Sequence, residues 1–368
     1  MDLRRLAFRV DFDGSAAAIK EMDGATSKLS DSAMSAAKKL EGMEKSFTKV
    51  GKGLMKKVTA PVIGLGTAAI KTVADFDDAM SKVQAMSGAT GEEFTKLREL
   101  AKEYGATTKF SASEAAEGMT FLAMAGLEVN EIIDTMPGLL DLAAASGMDL
   151  SRAADITTNI LSGFGMAAHE AGRVADVLAK GASSANTSVE QLGDAMKVVA
   201  PVASTLGLEI EGLTAAVGFM SDAGIQGSEA GRMLRQGMLR LAGPTGEAEK
   251  LIKQLGINVF DAEGNMKTLD EVVGELAKGL NGMSSQAQTA ALATIFGAES
   301  VAGWTALLDR GAGELAKFTT ELKGAEGTAS RHAQMMQDNI GGAFEEMKSA
   351  IEGLMIEIGD VLKDDVRE

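Results

Sequence analysis

Residues 187–224, TSVEQLGDAMKVVAPVASTLGLEIEGLTAAVGFMSDAG, announce helices by their punctuation. The stretch opens on Thr187 with Glu190 three positions later, the spacing of a capping box. In that box a hydroxyl accepts from one orphan backbone N–H and the acid satisfies another. Gly207 and Gly224 stand where helix C-termini favour a residue free to take a positive φ. Moving outward, Thr90…Glu93, Ser111…Glu114, Thr268…Glu271 and Ser285…Gln288 fit the same start pattern. Gly105, Gly126, Gly147, Gly165 and Gly256 supply further stops. Ala-rich interiors such as Leu142–Ala145 and Ala153–Ala154 let helices approach closely. Met119, Met124, Met136, Met148, Met166, Met196, Met220, Met233 and Met238 are expected to fill irregular core space. Residues 75–310 are therefore expected to form one compact helical domain.

Composition agrees. The chain has 368 residues, 45% apolar and only 4% aromatic, with four prolines. Buried sheets favour β-branched and aromatic side chains, whereas Ala, Leu and Met favour helix. There is no cysteine, which excludes disulfides, thiolate metal sites and a Cys nucleophile. His169 and His332 lie far apart, so neither a histidine-rich metal site nor a His-dependent triad is expected. Charge is uneven. Residues 1–74 hold 13 Lys/Arg against 8 Asp/Glu, and the remainder holds 23 against 44. The acidic body repels nucleic acid at long range. The stretch Val58–Ile70 is uncharged but only 13 residues long and interrupted by Pro61, Gly64 and Gly66, too short to span a bilayer alone. With charges where a signal peptide needs its apolar core, the chain reads as soluble and made in the cytoplasm.

The flanks differ from the body. Leu6, Phe8, Val10 and Phe12 alternate, so residues 1–14 are expected to hold a short strand. From 15 to 57 the period changes. Ile19, Met22, Thr26, Leu29, Ala33, Ala36, Leu40, Met43, Phe47, Val50 and Leu54 step by three and four, a heptad register. Ile19, Met22, Leu29, Leu40, Met43, Phe47, Val50 and Leu54 form a candidate self-association seam; the other reading is an amphipathic helix lying on its own domain. Residues 58–74 form a Gly/Ala/Pro joint. Gly256–Lys267 reads as a small β-hairpin about a Gly turn. A second seam, Ile340, Phe344, Met347, Ile351, Leu354, Ile358 and Val361, runs through residues 325–368 and is expected to continue in a longer parent chain. The expected fold is thus mainly α: a helical domain flanked by long amphipathic, coiled-coil-like helices, with one short N-terminal strand and one hairpin.

Catalytic patterns fail one by one. Gly64-x-Gly66-x-x-Ala69 lacks the strand that a dinucleotide fingerprint needs before it. Gly51-Lys52 is followed by Gly53, not Ser or Thr, and His169-Glu170 lacks a second His. Ser35-x-x-Lys38 and Ser46-x-x-Lys49 sit on the heptad helix, without a cleft. Ser228 does not lie in Gly-x-Ser-x-Gly. Asp261, Glu263 and Asn265 suggest calcium, but Gly264 stands fourth rather than sixth in the loop. No catalytic, cofactor-binding or metal residue is assigned.

Several long strings, in order, resemble phage tail tape measure proteins. They are KKVTAPVIGLGTAAIKTVADFDDAMSKVQAMSGATGEEF (56–94), LAKEYGATTKFSASEAAEGMTFLAMAG (100–126), MPGLLDLAAASGMDLSRAADI (136–156), VADVLAKGASSANTSVEQLGDAMKVVAPVA (174–203), GIQGSEAG (224–231) and IFGAES (295–300). The similarity covers roughly residues 50–310. It implies a structural, non-enzymatic protein that lines the tail-tube lumen in several copies and sets the tube's length. Implied partners are other copies of itself, the tail tube, tail assembly chaperones and baseplate or initiator proteins, with host membrane contact conceivable during DNA ejection. Implied locations are the host cytoplasm during assembly and the virion tail lumen afterwards. Two alternatives stand beside it: a membrane-active or pore-forming helical protein, motivated by Val58–Ile70, and a tail-associated carrier of a cell-wall hydrolase. Family members are usually much longer; at 1.5 Å per residue, two seams of about 40 residues span only about 60 Å each.

Overall fold

The computed structural model of the protein describes residues 62–367. Its regular structure among these residues is helical. The helices are α1 (Val62–Ser87), α2 (Glu92–Thr107), α3 (Ala112–Met124), α4 (Val129–Ser146), α5 (Leu150–Phe164), α6 (Ala171–Ser184), α7 (Val189–Thr205) and α8 (Ile210–Asp222). They continue as α9 (Gly227–Ala242), α10 (Gly246–Gln254), α11 (Leu269–Gly279), α12 (Ser285–Phe296), α13 (Val301–Arg310), α14 (Ala312–Lys323), α15 (Thr328–Gln337) and α16 (Ile340–Arg367). Residues 78–349 form one compact unit; residues 62–77 and 350–367 belong to a second. The strand expected over 1–14 and the heptad helix over 15–57 lie outside the described residues.

Half of the compact unit is a stack of helical hairpins. Helices α3, α5, α7 and α9 pack in sequence as one layer, and α4, α6 and α8 pack as a second. The first-layer helices begin after Ser111, Asp149, Ser188 and Gln226, a period of 38–39 residues. Counting from each of those residues, the buried positions coincide. Four residues on stand Ala115, Ala153, Leu192 and Ala230, and eleven on stand Leu122, Ile160, Val199 and Gly237, all buried. Six residues on, where the helix faces outward, stand Glu117, Asp155, Asp194 and Arg232. A unit of this kind cannot bury its apolar face alone, and stacking neighbours makes the core continuous.

Small residues set the spacing of the stack. A Cβ on Gly231 of α9 would lie 2.5 Å from the Ala195 carbonyl oxygen of α7, and one on Gly138 of α4 would lie 2.5 Å from the Ala171 carbonyl carbon of α6. Backbone therefore meets backbone at these crossings. Beyond α9 the packing becomes aromatic. Trp304 of α13 is fully buried and stacked on Phe296 of α12, with ring centroids 4.3 Å apart and planes 3° apart. Its indole N–H donates to the Met233 carbonyl at 3.3 Å. Phe219 of α8 stacks on Phe318 of α14 at 5.6 Å.

Several sequence expectations change. The hairpin over 256–267 is reduced to a single antiparallel bridge, Phe260 to Met266. Ile257, Val259 and Met266 are buried, so each reaches into the core from a loop and no ladder forms. Asp261 closes the turn by accepting from the Asn265 N–H at 2.7 Å and the Glu263 N–H at 3.1 Å. The capping boxes hold at Ser111–Glu114 and Thr268–Glu271. The one expected at Thr187 moves to Ser188–Gln191, and the α12 cap moves from Ser285 to Ser284. Met124 is exposed rather than core, while Met119, Met136, Met196, Met220 and Met238 are fully buried. The stops Gly126, Gly147, Gly165, Gly207, Gly224 and Gly256 all take positive φ. Gly105 instead lies within α2, where a Cβ would sit 2.6 Å from the Ala112 nitrogen.

Candidate functional site

The eight seam residues Ile19, Met22, Leu29, Leu40, Met43, Phe47, Val50 and Leu54 lie outside the described residues, as do Ser35 and Ser46. Three polar features and one apolar surface remain for the described part of the chain.

The first feature is a charge ladder across the hairpin stack. Arg152 of α5 pairs with Asp155 on its own helix at 3.0 Å and with Asp194 and Glu190 of the α7 hairpin. Lys197 of α7 reaches back to Asp155 at 3.4 Å. In the second layer Arg173 of α6 forks onto Glu211 of α8, with Nε and Nη2 donating to the two carboxylate oxygens at 2.7 and 2.9 Å. The Glu211 side chain is 3% exposed, so it needs that partner. The fork raises the already high Arg173 pKa, against the desolvation that lowers it. Arg310 pairs with Asp222 and sits 5.0 Å over the Phe219 ring. The Arg152–Asp194 and Arg173–Glu211 pairs each join one hairpin of the stack to the next.

The second feature holds α15 in place. The Asp176 carboxylate accepts from the Gly327 N–H and the Ala329 N–H, both at 2.8 Å, and so caps the N-terminus of α15. Asp141 stands near it. Burial pushes the Asp141 carboxyl pKa up, and the like charge of Asp176 adds to that.

The third feature is a cleft of about 420 Å³ lined by Lys109, Phe110, Glu117, Phe121, Met148 and Glu345, among others. Burial lowers the Lys109 pKa, while Glu114 and Glu345 oppose that shift. The Lys109 ammonium lies 4.9 Å over the Phe110 ring. Glu114 is committed to the Ser111 N–H at 2.8 Å. Among the described residues no three His, Cys, Asp or Glu side chains group to hold a metal ion.

Tyr104, the chain's only tyrosine, lies nearby on α2. Burial first, and Glu103 second, push its phenol up to about 12. The neutral phenol is the form the fold favours, so its contribution is intact below the unfolded value near 10 and is lost as pH rises through about 12. A spectrophotometric titration at a phenolate absorption band should show ionisation near pH 12, returning to near 10 in denaturant. A native midpoint at 10 would contradict the burial.

The apolar surface belongs to the C-terminal seam. Ser349 of α16 donates its hydroxyl to the Lys109 carbonyl at 3.0 Å, and Glu345 lines the cleft, so that side of the helix faces inward. Ile340 and Phe344 face outward and are exposed. Ile358 and Val361 lie outside the residues whose side chains are described. Among the described residues no single helix is long and apolar enough to cross a membrane. One bent pair, Ser285–Phe296 with Ala298–Arg310, passes by length and composition, and it carries the buried Phe296 and Trp304 of the core.

The chain has relatives among known phage proteins. Residues 98–297, more than half of it, match the family described as phage-related minor tail protein. A tape measure protein of Pneumococcus phage Dp-1 is 40% identical over 318 residues, covering 86% of this chain and 28% of that protein. A probable tape measure protein of Escherichia phage P2 is 30% identical over 311 residues, covering 81% of this chain and 38% of that protein. The chain thus spans about a third of the length of these relatives. No solved structure matches it.

Proposed function

Because the chain belongs to the phage-related minor tail protein family, we propose that it serves in a tail tape measure protein, or is the N-terminal portion of one. In this role it occupies the tail-tube lumen in several copies and helps set tail length. The observation that carries this reading is the identity of 40% and 30% to two tape measure proteins over most of the chain. Neither the matched family nor those two relatives point to a pore-former or a cell-wall hydrolase. The geometry supports a structural role, with ion pairs and glycine crossings that hold a stack in register. Its partners are further copies, the tail tube, assembly chaperones and baseplate or initiator proteins. It is assembled in the host cytoplasm and resides in the virion tail. The seam from Ile19 to Leu54 is a surface for contact between copies.

The test is genetic. A phage with a clean deletion of the gene should fill its capsids but show, by electron microscopy, no tails or tails of the wrong length. Normal tails would overturn the assignment.

A further inference from the structure

Of the eight large apolar side chains exposed among the described residues, five fall between Met335 and Ile351. Met335, Met336, Ile340 and Phe344 are 65%, 55%, 75% and 53% exposed. Such a concentration differs from the singly scattered apolar residues of an ordinary surface. From Ile340 onward the row keeps heptad spacing, and the opposite side of α16 is occupied at Ser349.

We infer that this outer face of α15 and α16 is the seat for residues 15–57 of a second copy of the chain. The inference rests on the proposal that several copies share one tail tube. Two observations select the occupant. The segment 15–57 carries a heptad seam of the same period, broken only by Thr26, so its knobs suit the holes that such a face presents. Charge selects it too. Residues 15–57 hold nine lysines against five acids, a balance of +4, whereas residues 340–368 hold three bases against eight acids, a balance of −5. Pairing two N-terminal seams, or two C-terminal ones, sets like charge against like; pairing one with the other sets unlike charges together. The contact joins two different patches, so it is heterologous and closes into a ring when the rotation between copies closes. Copies in such a ring lie side by side and share one length.

The absence of cysteine makes the test clean. Full chains carrying Leu40→Cys, Met43→Cys, Phe47→Cys or Val50→Cys are each mixed with a differently tagged full chain carrying Phe344→Cys, then oxidised. A mixed disulfide dimer is expected for at least one of the four, with formation at least tenfold above that of Phe344→Cys mixed with a surface control, Gly172→Cys. Adding Ile340→Glu to the Phe344→Cys chain should abolish it, with the helical circular dichroism unchanged because Ile340 is exposed. Closure only within one chain carrying both cysteines overturns the inference, since the segment then covers its own copy. Dimers only between two N-terminal cysteines also overturn it, and leave self-association standing. No cross-link, with association in sedimentation, overturns it likewise; a chain that stays monomeric at every concentration removes the several-copy reading itself.

Discussion

Gly231→Val should lower the melting temperature of the full chain by about 6–12 °C. The Cβ of any residue at 231 would stand 2.5 Å from the Ala195 carbonyl oxygen and 2.9 Å from the Ala195 Cα. Those atoms are backbone in the middle of α7 and cannot rotate away. The two helices must separate, and the buried surface between Leu234, Met238, Met196 and Val199 opens with them. Overpacking of a close crossing costs about 3 kcal/mol, and each kcal/mol moves the melting temperature by about 2–4 °C at this size. Gly212→Ala is the control. Gly212 also lies within a helix of the stack, yet a Cβ there meets nothing within 4 Å. It should gain about 0.5–1 kcal/mol from helix propensity. Thermal circular dichroism reads both. Equal behaviour of the two variants would show that the helix crossing does not set the spacing of the stack.

The same crossings explain which features of the fold are legible in the sequence. Helix starts and stops depend on one or two local residues, so Ser111, Thr268 and six of the glycines marked them correctly. The 38–39-residue period is not local. Equivalent buried positions hold Met119, Thr157, Met196 and Leu234, because each must fit its own neighbours and not copy its counterpart. Identity is therefore weak where the repeat is strongest. The outward acids Glu117, Asp155 and Asp194 and the glycines Gly126 and Gly165 were its visible trace. The hairpin failed for a related reason. Alternation at Ile257 and Val259 reports which side chains are buried, and a loop pressed against a core produces it as readily as a strand does.

At the candidate surface, spacing alone disclosed the C-terminal seam but not its direction. A heptad count gives the period of a row and is silent about which side of the helix is docked. Over its first three turns the docked side of α16 is polar, with Ser349 bonded to a loop carbonyl and Glu345 lining the cleft with Lys109; the buried Ile356, two turns on, stands outside the heptad row and so was not counted in it. The ladder Arg152–Asp194 and the fork Arg173–Glu211 were equally hidden, since their partners stand 42 and 38 residues apart. They became neighbours only because the hairpins repeat at nearly that distance.

Trp304→Ala should destabilise the chain by about 3–5 kcal/mol, in the range measured for large aromatic truncations in cores. Trp304 is fully buried, and two helices close on it. Phe296 of α12 stacks against one face at 4.3 Å. The Met233 carbonyl of α9 takes the indole N–H at 3.3 Å. Gly237 of α9 approaches the indole so closely that a Cβ there would overlap Nε1. Removing the ring leaves a cavity that α9 cannot fill, because its own position is fixed on the far side by Gly231 against Ala195. Trp304→Phe should cost less, keeping the stack on Phe296 and losing the hydrogen bond, worth about 1 kcal/mol. Since Trp304 is the only tryptophan, its fluorescence in the unaltered chain reports this junction alone. In denaturant its emission should shift to the red together with the loss of helix by circular dichroism. An early shift, with the helical signal intact, would mean that α12 and α13 leave the stack first, and that the indole holds only that last layer.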